Sequence, residues 1–262
     1  LKESSDISRE KVSAVTTENS QVETTGWGFE PRWLLVIIVS VPLACTIFWW
    51  IGVHYFGSRL RFLEYLQFAA VVTVAVAGGY QLYFWVQRNR FRRRAVCLKI
   101  DLDDRIPFVP RWIWLYSFLY YLMIGVTVVS IRDLGEGMHI IFGGLILLLT
   151  GCAIFYFFPT YVPHTFRQFE VNTLSTRYLA FVQSMDNDRN AFPSMHCALA
   201  TYVGLVVTDL PIVGAWIGTA YIGFIVVSCL LVKQHVIADT IAGVALGGLI
   251  FYLNVALQNW YL

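Results

Sequence analysis

Beyond residue 32 the chain is a succession of long apolar runs separated by short polar connections. The runs fall at 33–56, 65–86, 112–131, 138–158, 196–208, 212–232 and 236–257, and Asp239 is the only acidic residue inside any of them. A hydrocarbon core of about 30 Å takes about 20 helical residues to cross, which most of these runs supply. They are continuously apolar rather than alternating, and in lipid every backbone N–H and C=O must be satisfied within its own segment, so helices are expected and barrel strands are not. The expected fold class is an all-α polytopic membrane protein, a bundle of about six or seven transmembrane helices. Residues 1–32 are rich in Ser, Thr, Glu and Lys without apolar periodicity. They read as a mobile polar tail, because burial there cannot offset the entropy of ordering. A single transmembrane catalytic domain over 33–262 is expected to follow.

Composition strengthens the membrane reading. Hydrophobic residues make up 57% and charged residues 14% of the 262 positions, against about 45–50% and about 25% in soluble proteins. Seven apolar runs cannot all be core helices of so short a chain. Nine Trp, fourteen Tyr and nineteen Phe suit the two membrane–water interfaces. These counts exclude a disordered chain, a disulfide scaffold, a coiled coil and a nucleic-acid module. A formal charge of +2 gives no reason to expect a polyanionic partner. Cys45, Cys97, Cys152, Cys197 and Cys229 have no metal-binding spacing and read as small packing residues. The chain starts at Leu1 without a Met, so a trimmed or processed product is expected, with no signal-peptide pattern ahead of the polar stretch.

Basic residues are unevenly placed. Lys2, Arg9, Lys11 and Arg32 lie in the tail, and Arg88, Arg90, Arg92, Arg93, Arg94, Lys99, Arg105 and Arg111 follow the second run, while Arg59, Arg61 and Arg132 fall in the alternate connections. The positive-inside rule puts the tail and the 88–111 connection in the cytoplasm. An anionic-lipid contact is a further use for RNRFRRR at 88–94.

Ionisable groups on membrane-embedded segments are scarce and are therefore the first candidates for function. One group is Asn190-Ala191-Phe192-Pro193-Ser194-Met195-His196, at the start of the fifth run. Pro193 and Ser194 are helix-start residues, and a helix N-terminus offers free N–H groups and partial positive charge, a setting that suits phosphate. The other is Lys233-Gln234-His235-Val236-Ile237-Ala238-Asp239. On a helix, His235 and Asp239 would share a face, and the carboxylate would take a proton from one imidazole nitrogen and leave the other basic, as nucleophilic catalysis requires. Gly243 and Gly247 continue that face and would let the His196 helix approach closely. His54 and His139 read as structural hydrogen-bonders.

FPSMH at 192–196 and KQHVIAD at 233–239, followed by TIAGVALG at 240–247, resemble the second and third signatures of the type 2 phosphatidic acid phosphatase superfamily. DDRIPFVP at 103–110, FPTYVP at 158–163 and the DNDRNAFPSMH context look most like its inositol phosphorylceramide synthase-like branch. The resemblance covers about 103–250 and implies an enzyme with the active site at one membrane face, acting on a phosphorylated lipid without metal or other cofactor. By position it implies that His235 attacks phosphorus and becomes phosphorylated, that Asp239 orients it, and that His196 exchanges the proton with leaving group and acceptor. Ser194 and Lys233 would hold the phosphate oxygens. Two signatures depart from the family pattern. The third usually begins Ser-Arg, but here Ser228 is followed by Cys229, and Lys233 is expected to substitute; the first is replaced by FPTYVPHTFR at 158–167, where His164 or Arg167 would supply positive charge.

The resemblance implies a lipid phosphatase passing the phosphoryl group to water, with an alternative in which a phospho-alcohol headgroup passes to a lipid hydroxyl. A proton-coupled transporter using His196, His235 and Asp239 is a more distant alternative, and a metal site made of the same trio lacks a supporting carboxylate cluster. Partners are expected to be the lipid substrate and membrane lipids, with no nucleic acid and an open oligomeric state. The location is multi-pass in a cell membrane or endomembrane. Four runs precede the FPSMH loop, so the charge rule favours a cytoplasmic site, whereas the family's habit favours the periplasmic or lumenal face.

Overall fold

The structure, a computed structural model, describes residues 31–89, 91, 94–184, 189–208 and 214–261. The expected tail therefore lies outside the described residues except for Pro31 and Arg32, which open the first helix. Arg90, Arg92, Arg93, Asp186, Asn187 and Asp188 also lie outside, as do residues 209–213, where the sixth run begins.

The chain is helical throughout the described membrane region. Helix α1 spans Pro31–Tyr55, α2 Phe62–Arg88, α3 Asp101–Arg105, α4 Tyr120–Ser130, α5 Leu134–Phe157, α6 Leu174–Ser184, α7 Met195–Thr208, α8 Gly214–Leu231 and α9 Ile237–Tyr261. A 3-10 turn at Pro110–Trp112 and a π-helical stretch at Leu115–Leu119 lead into α4 and extend it to a 21-residue apolar span. Six helices are long and apolar enough to cross a membrane, and α7, at 14 residues, is a shorter apolar helix. The protein is thus an all-α polytopic membrane protein, and its helices match the expected apolar runs within a few residues at most ends. Sequence periodicity did not separate α6, the segment among these with a polar face in the 159–190 connection, from loop.

Helix α7 packs in the interior of the bundle. Cys197, Ala198, Ala200 and Val207 are fully buried, so α7 is sheathed by other helices instead of lipid. Small residues make that possible. A Cβ on Gly243 or Gly247 of α9 would stand 2.4 Å from the Ser194 carbonyl oxygen or 2.2 Å from that of Ala198. On the other flank, a Cβ on Gly218 of α8 would come within 2.4 Å of the Gly204 carbonyl. With little hydrophobic drive between helices in lipid, such close backbone approach is what holds them together. By contrast α1 turns Leu35, Val39, Leu43 and Ile47 outward, as a lipid-facing helix should.

Successive membrane helices reverse direction, which gives the bundle two ends. At one, the Arg59 N–H donates to the Arg132 carbonyl (2.9 Å) and the Ser58 hydroxyl to that of Ile131 (2.8 Å). At the other, the connection after α2, the long connection between α5 and α7, and the α8–α9 turn come together. Val96 bridges Thr160, Tyr161 bridges Arg189, and Lys233 Nζ donates to the Asp103 carbonyl at 2.6 Å.

Candidate active site

Ser194 begins α7 as its N-cap: its Oγ accepts from the Cys197 N–H (3.3 Å) and its carbonyl from the Ala198 N–H (2.9 Å). This cap satisfies the Cys197 N–H, while the Met195 and His196 N–H groups, at the first two positions of α7, have no acceptor within the helix. The approach to the cap is anchored by Thr160, whose Oγ1 accepts from the Phe192 N–H at 2.7 Å. The FPTYVP segment therefore works as a clasp between the 94–97 connection and the FPSMH loop.

His235 differs from its expected setting. It is not part of a helix; it lies in the α8–α9 turn, ahead of the helical start at Ile237. Its nearness to Asp239 comes from capping. Asp239 is the third residue of α9, and its Oδ2 accepts from the Val236 N–H (3.1 Å), half of a capping box. The same oxygen stands 3.5 Å from His235 Nδ1. Lys233, at φ 57, supplies the left-handed step that turns the chain there. The two loops are tied directly, because the Ser194 N–H donates to the Asp239 carbonyl at 3.0 Å.

The result is that two imidazoles from separate helical boundaries lie close together, with ring centroids 6.4 Å apart. His196 is partly buried under two tyrosines. Tyr116 stacks on it at 4.3 Å between centroids and its hydroxyl lies 3.0 Å from Nδ1, while the Tyr120 ring is 5.6 Å away. Tyr116 sits in the π-helical stretch, a distortion frequently found at functional sites.

Lys233 joins this frame from the side. Besides its bond to the Asp103 carbonyl, its Nζ lies over the Phe166 ring, 4.5 Å from the centroid. Burial pulls this ammonium below the usual lysine range, while the carboxylates of Asp103 and Asp104 act in the opposite sense. The buried Asp103 carboxylate accepts from the Ile237 N–H and the Ile100 N–H, both at 2.8 Å, and so fixes the start of α9. Phe166 belongs to the 3-10 turn His164–Arg167, which brings that turn against Lys233. Arg167 itself uses Nη1 on the Gln183 carbonyl (3.1 Å), and His164 packs 6.5 Å from the Tyr161 ring.

His196, His235, Asp239, Ser194 and Lys233 are thus brought into one frame; His164 and Arg167 border it through Phe166. Sequence reasoning missed Tyr116 and assigned no part to Asp103, although the DDRIPFVP segment was noticeable. The family model of the PAP2 superfamily matches residues 105–253, more than half of the chain. The chain belongs to the PAP2 superfamily. Comparison with curated proteins and with solved structures found no match. Membership in the PAP2 superfamily supports phosphatase-type phosphoryl transfer on lipids as its general activity, and the matched stretch contains every residue of the frame except the Asp103 anchor.

Proposed function

We propose that the protein is a membrane-embedded lipid phosphatase that works through a phosphohistidine on His235. The observation that carries this reading is the convergence of His196 and His235, with Asp239 behind one ring and Tyr116 behind the other. In the first step, His235 Nε2 bonds to phosphorus, the bond from phosphorus to the lipid oxygen breaks, and His196 gives that oxygen a proton. Asp239, next to Nδ1, stabilises the positive charge that develops on His235. In the second step His196 takes a proton from water, the water oxygen bonds to phosphorus, and the bond to His235 breaks to release phosphate. Such proton exchange contributes about 10²–10⁴-fold. Lys233, the Ser194 hydroxyl and the N-terminal N–H groups of α7 would hold the non-bridging oxygens, the main task in phosphoryl transfer.

The same residues serve a lipid hydroxyl in place of water. The likeness of 103–110 and 158–163 to the inositol phosphorylceramide synthase-like branch supports this second acceptor, since Asp103 and Thr160 both frame the site. The concentration of basic residues at the site end supports a cytoplasmic placement of the site.

Purified protein given phosphatidic acid in the presence of EDTA is expected to release phosphate, and mixed lipid substrates would report a new phospholipid if a hydroxyl is the acceptor. Substituting His235→Ala should lower turnover by about 10³-fold or more. Acid-labile, alkali-stable phosphate trapped on His235 would support the covalent step. Wild-type turnover in His235→Ala would overturn it, and loss of activity in EDTA would overturn metal independence.

A further inference from the structure

Two buried donors in the loops that carry the histidines take no part in the steps above. Asn190 is 6% exposed and Gln234 is 3% exposed. Their amide nitrogens, Asn190 Nδ2 and Gln234 Nε2, are buried without a hydrogen-bond partner. A primary amide carries two N–H donors, and leaving them unmatched in the interior is unfavourable, so each such group calls for an acceptor that the surrounding fold does not provide.

Their positions indicate which acceptor. Gln234 immediately precedes His235, and Asn190 lies four residues before Ser194. Both loops take a left-handed step at or beside these residues, at Asn190 (φ 62) and at Lys233 (φ 57). Such backbone is sparsely populated outside glycine and clusters at functional sites. The bond from the Ser194 N–H to the Asp239 carbonyl holds the two loops together. The position where the family pattern has an arginine is Cys229, which is fully buried with its Sγ 3.7 Å from that of Cys197. That helix therefore lacks the guanidinium fork that would grip phosphate oxygens.

We propose that Asn190 and Gln234 donate their side-chain N–H groups to the non-bridging oxygens of the substrate phosphate, a neutral amide pair in place of the arginine that Cys229 omits. This rests on the phosphate-site reading above and adds two binding residues to it.

The test uses the purified full-length protein, with inorganic phosphate and orthovanadate as competitive inhibitors of phosphatidic acid hydrolysis. Gln234→Leu removes the amide and keeps the bulk; Asn190→Gly removes it and keeps the backbone free to adopt positive φ. Each should weaken inhibition by both oxyanions about tenfold. Without oxyanion, the thermal midpoint of Gln234→Leu should not fall below wild type, because the amide it removes was unpaired. A lowered midpoint with unchanged inhibition constants would show a structural role and overturn the proposal. If Gln234→Leu does not fold, Gln234→Glu serves, since it keeps the shape and sets a carboxylate against the phosphate. It should weaken inhibition at least as strongly, and an unchanged constant overturns the proposal. An active, inhibitable wild type with unaffected variants defeats this inference alone, whereas a wild type that neither hydrolyses the lipid nor responds to oxyanions defeats the site reading with it.

Discussion

Tyr116 reaches His196 across 80 positions of sequence and makes two contacts with it, a ring stack and a hydroxyl 3.0 Å from Nδ1. Tyr116→Phe separates them, because it keeps the stack and deletes the hydrogen bond. A hydrogen bond of this kind is worth about 1 kcal/mol, so kcat should fall roughly five- to tenfold while KM stays close to wild type. Unchanged kcat would reduce Tyr116 to packing. Lys233 makes a different prediction, through charge. Burial lowers the pH at which its ammonium loses a proton, so phosphate binding should weaken on the alkaline side earlier than an ordinary lysine would allow. Lys233→Arg keeps the cation through that range, and the alkaline limb of kcat/KM should move to higher pH even if the peak rate drops. Lys233→Met, which removes the charge, should lower kcat/KM by about 10²-fold. How legible these residues were depends on what surrounds them. His196, His235 and Asp239 stand out because ionisable groups are rare within and between closely spaced apolar runs. Tyr116 does not, since Leu-Tyr-Ser-Phe-Leu reads as ordinary span and the π-helical backbone that aims it has no sequence pattern. Asn190 and Gln234 were hidden for a related reason: they lie in loops, where amides are commonplace, and only their burial sets them apart.

At the scale of elements, the contact of α7 with α9 fixes the distance between the two histidines. Gly243 and Gly247 were readable as close-approach residues, and their faces do meet Ser194 and Ala198 of the α7 segment. The sequence was less informative on how His235 meets Asp239, because an i, i+4 spacing suggests a shared helical face, and the actual link is a carboxylate that caps the helix from within its first turn. A methyl group at either glycine must displace a carbonyl oxygen of the α7 segment. Gly247→Ala should destabilise the protein by about 1–3 kcal/mol, read as a lower thermal midpoint in detergent. Gly243→Ala pushes directly on Ser194 and should lower turnover as well. Gly248 offers the control, since a Cβ there meets nothing within 4 Å; Gly248→Ala should leave midpoint and rate near wild type. Equal effects at all three positions would point to helix propensity instead of spacing.

For the whole molecule, the arrangement of ends turns a charge count into a prediction about substrate supply. Arg88, Arg94, Lys99, Arg105, Arg111, Arg167, Arg177, Arg189 and Lys233 belong to connections or helix ends on the side of the histidines, whereas Arg59, Arg61 and Arg132 mark the opposite end. The first group outnumbers the second among the described residues, and short connections rich in Lys and Arg stay in the cytoplasm. A lengthened loop carrying a glycosylation acceptor, inserted in the 56–61 connection, should therefore be glycosylated in endoplasmic reticulum membranes. The same insert between the 3-10 turn His164–Arg167 and α6 should remain unmodified. The reverse pattern would place the site on the lumenal face despite its basic border. The outcome also fixes which leaflet feeds the enzyme: the frame sits at one end of the bundle, so a lipid phosphate in the far leaflet would have to cross the hydrocarbon core before reaching His235. Hydrolysis by sealed vesicles of known protein orientation, with substrate confined to one leaflet, should follow the side that glycosylation assigns to the histidines.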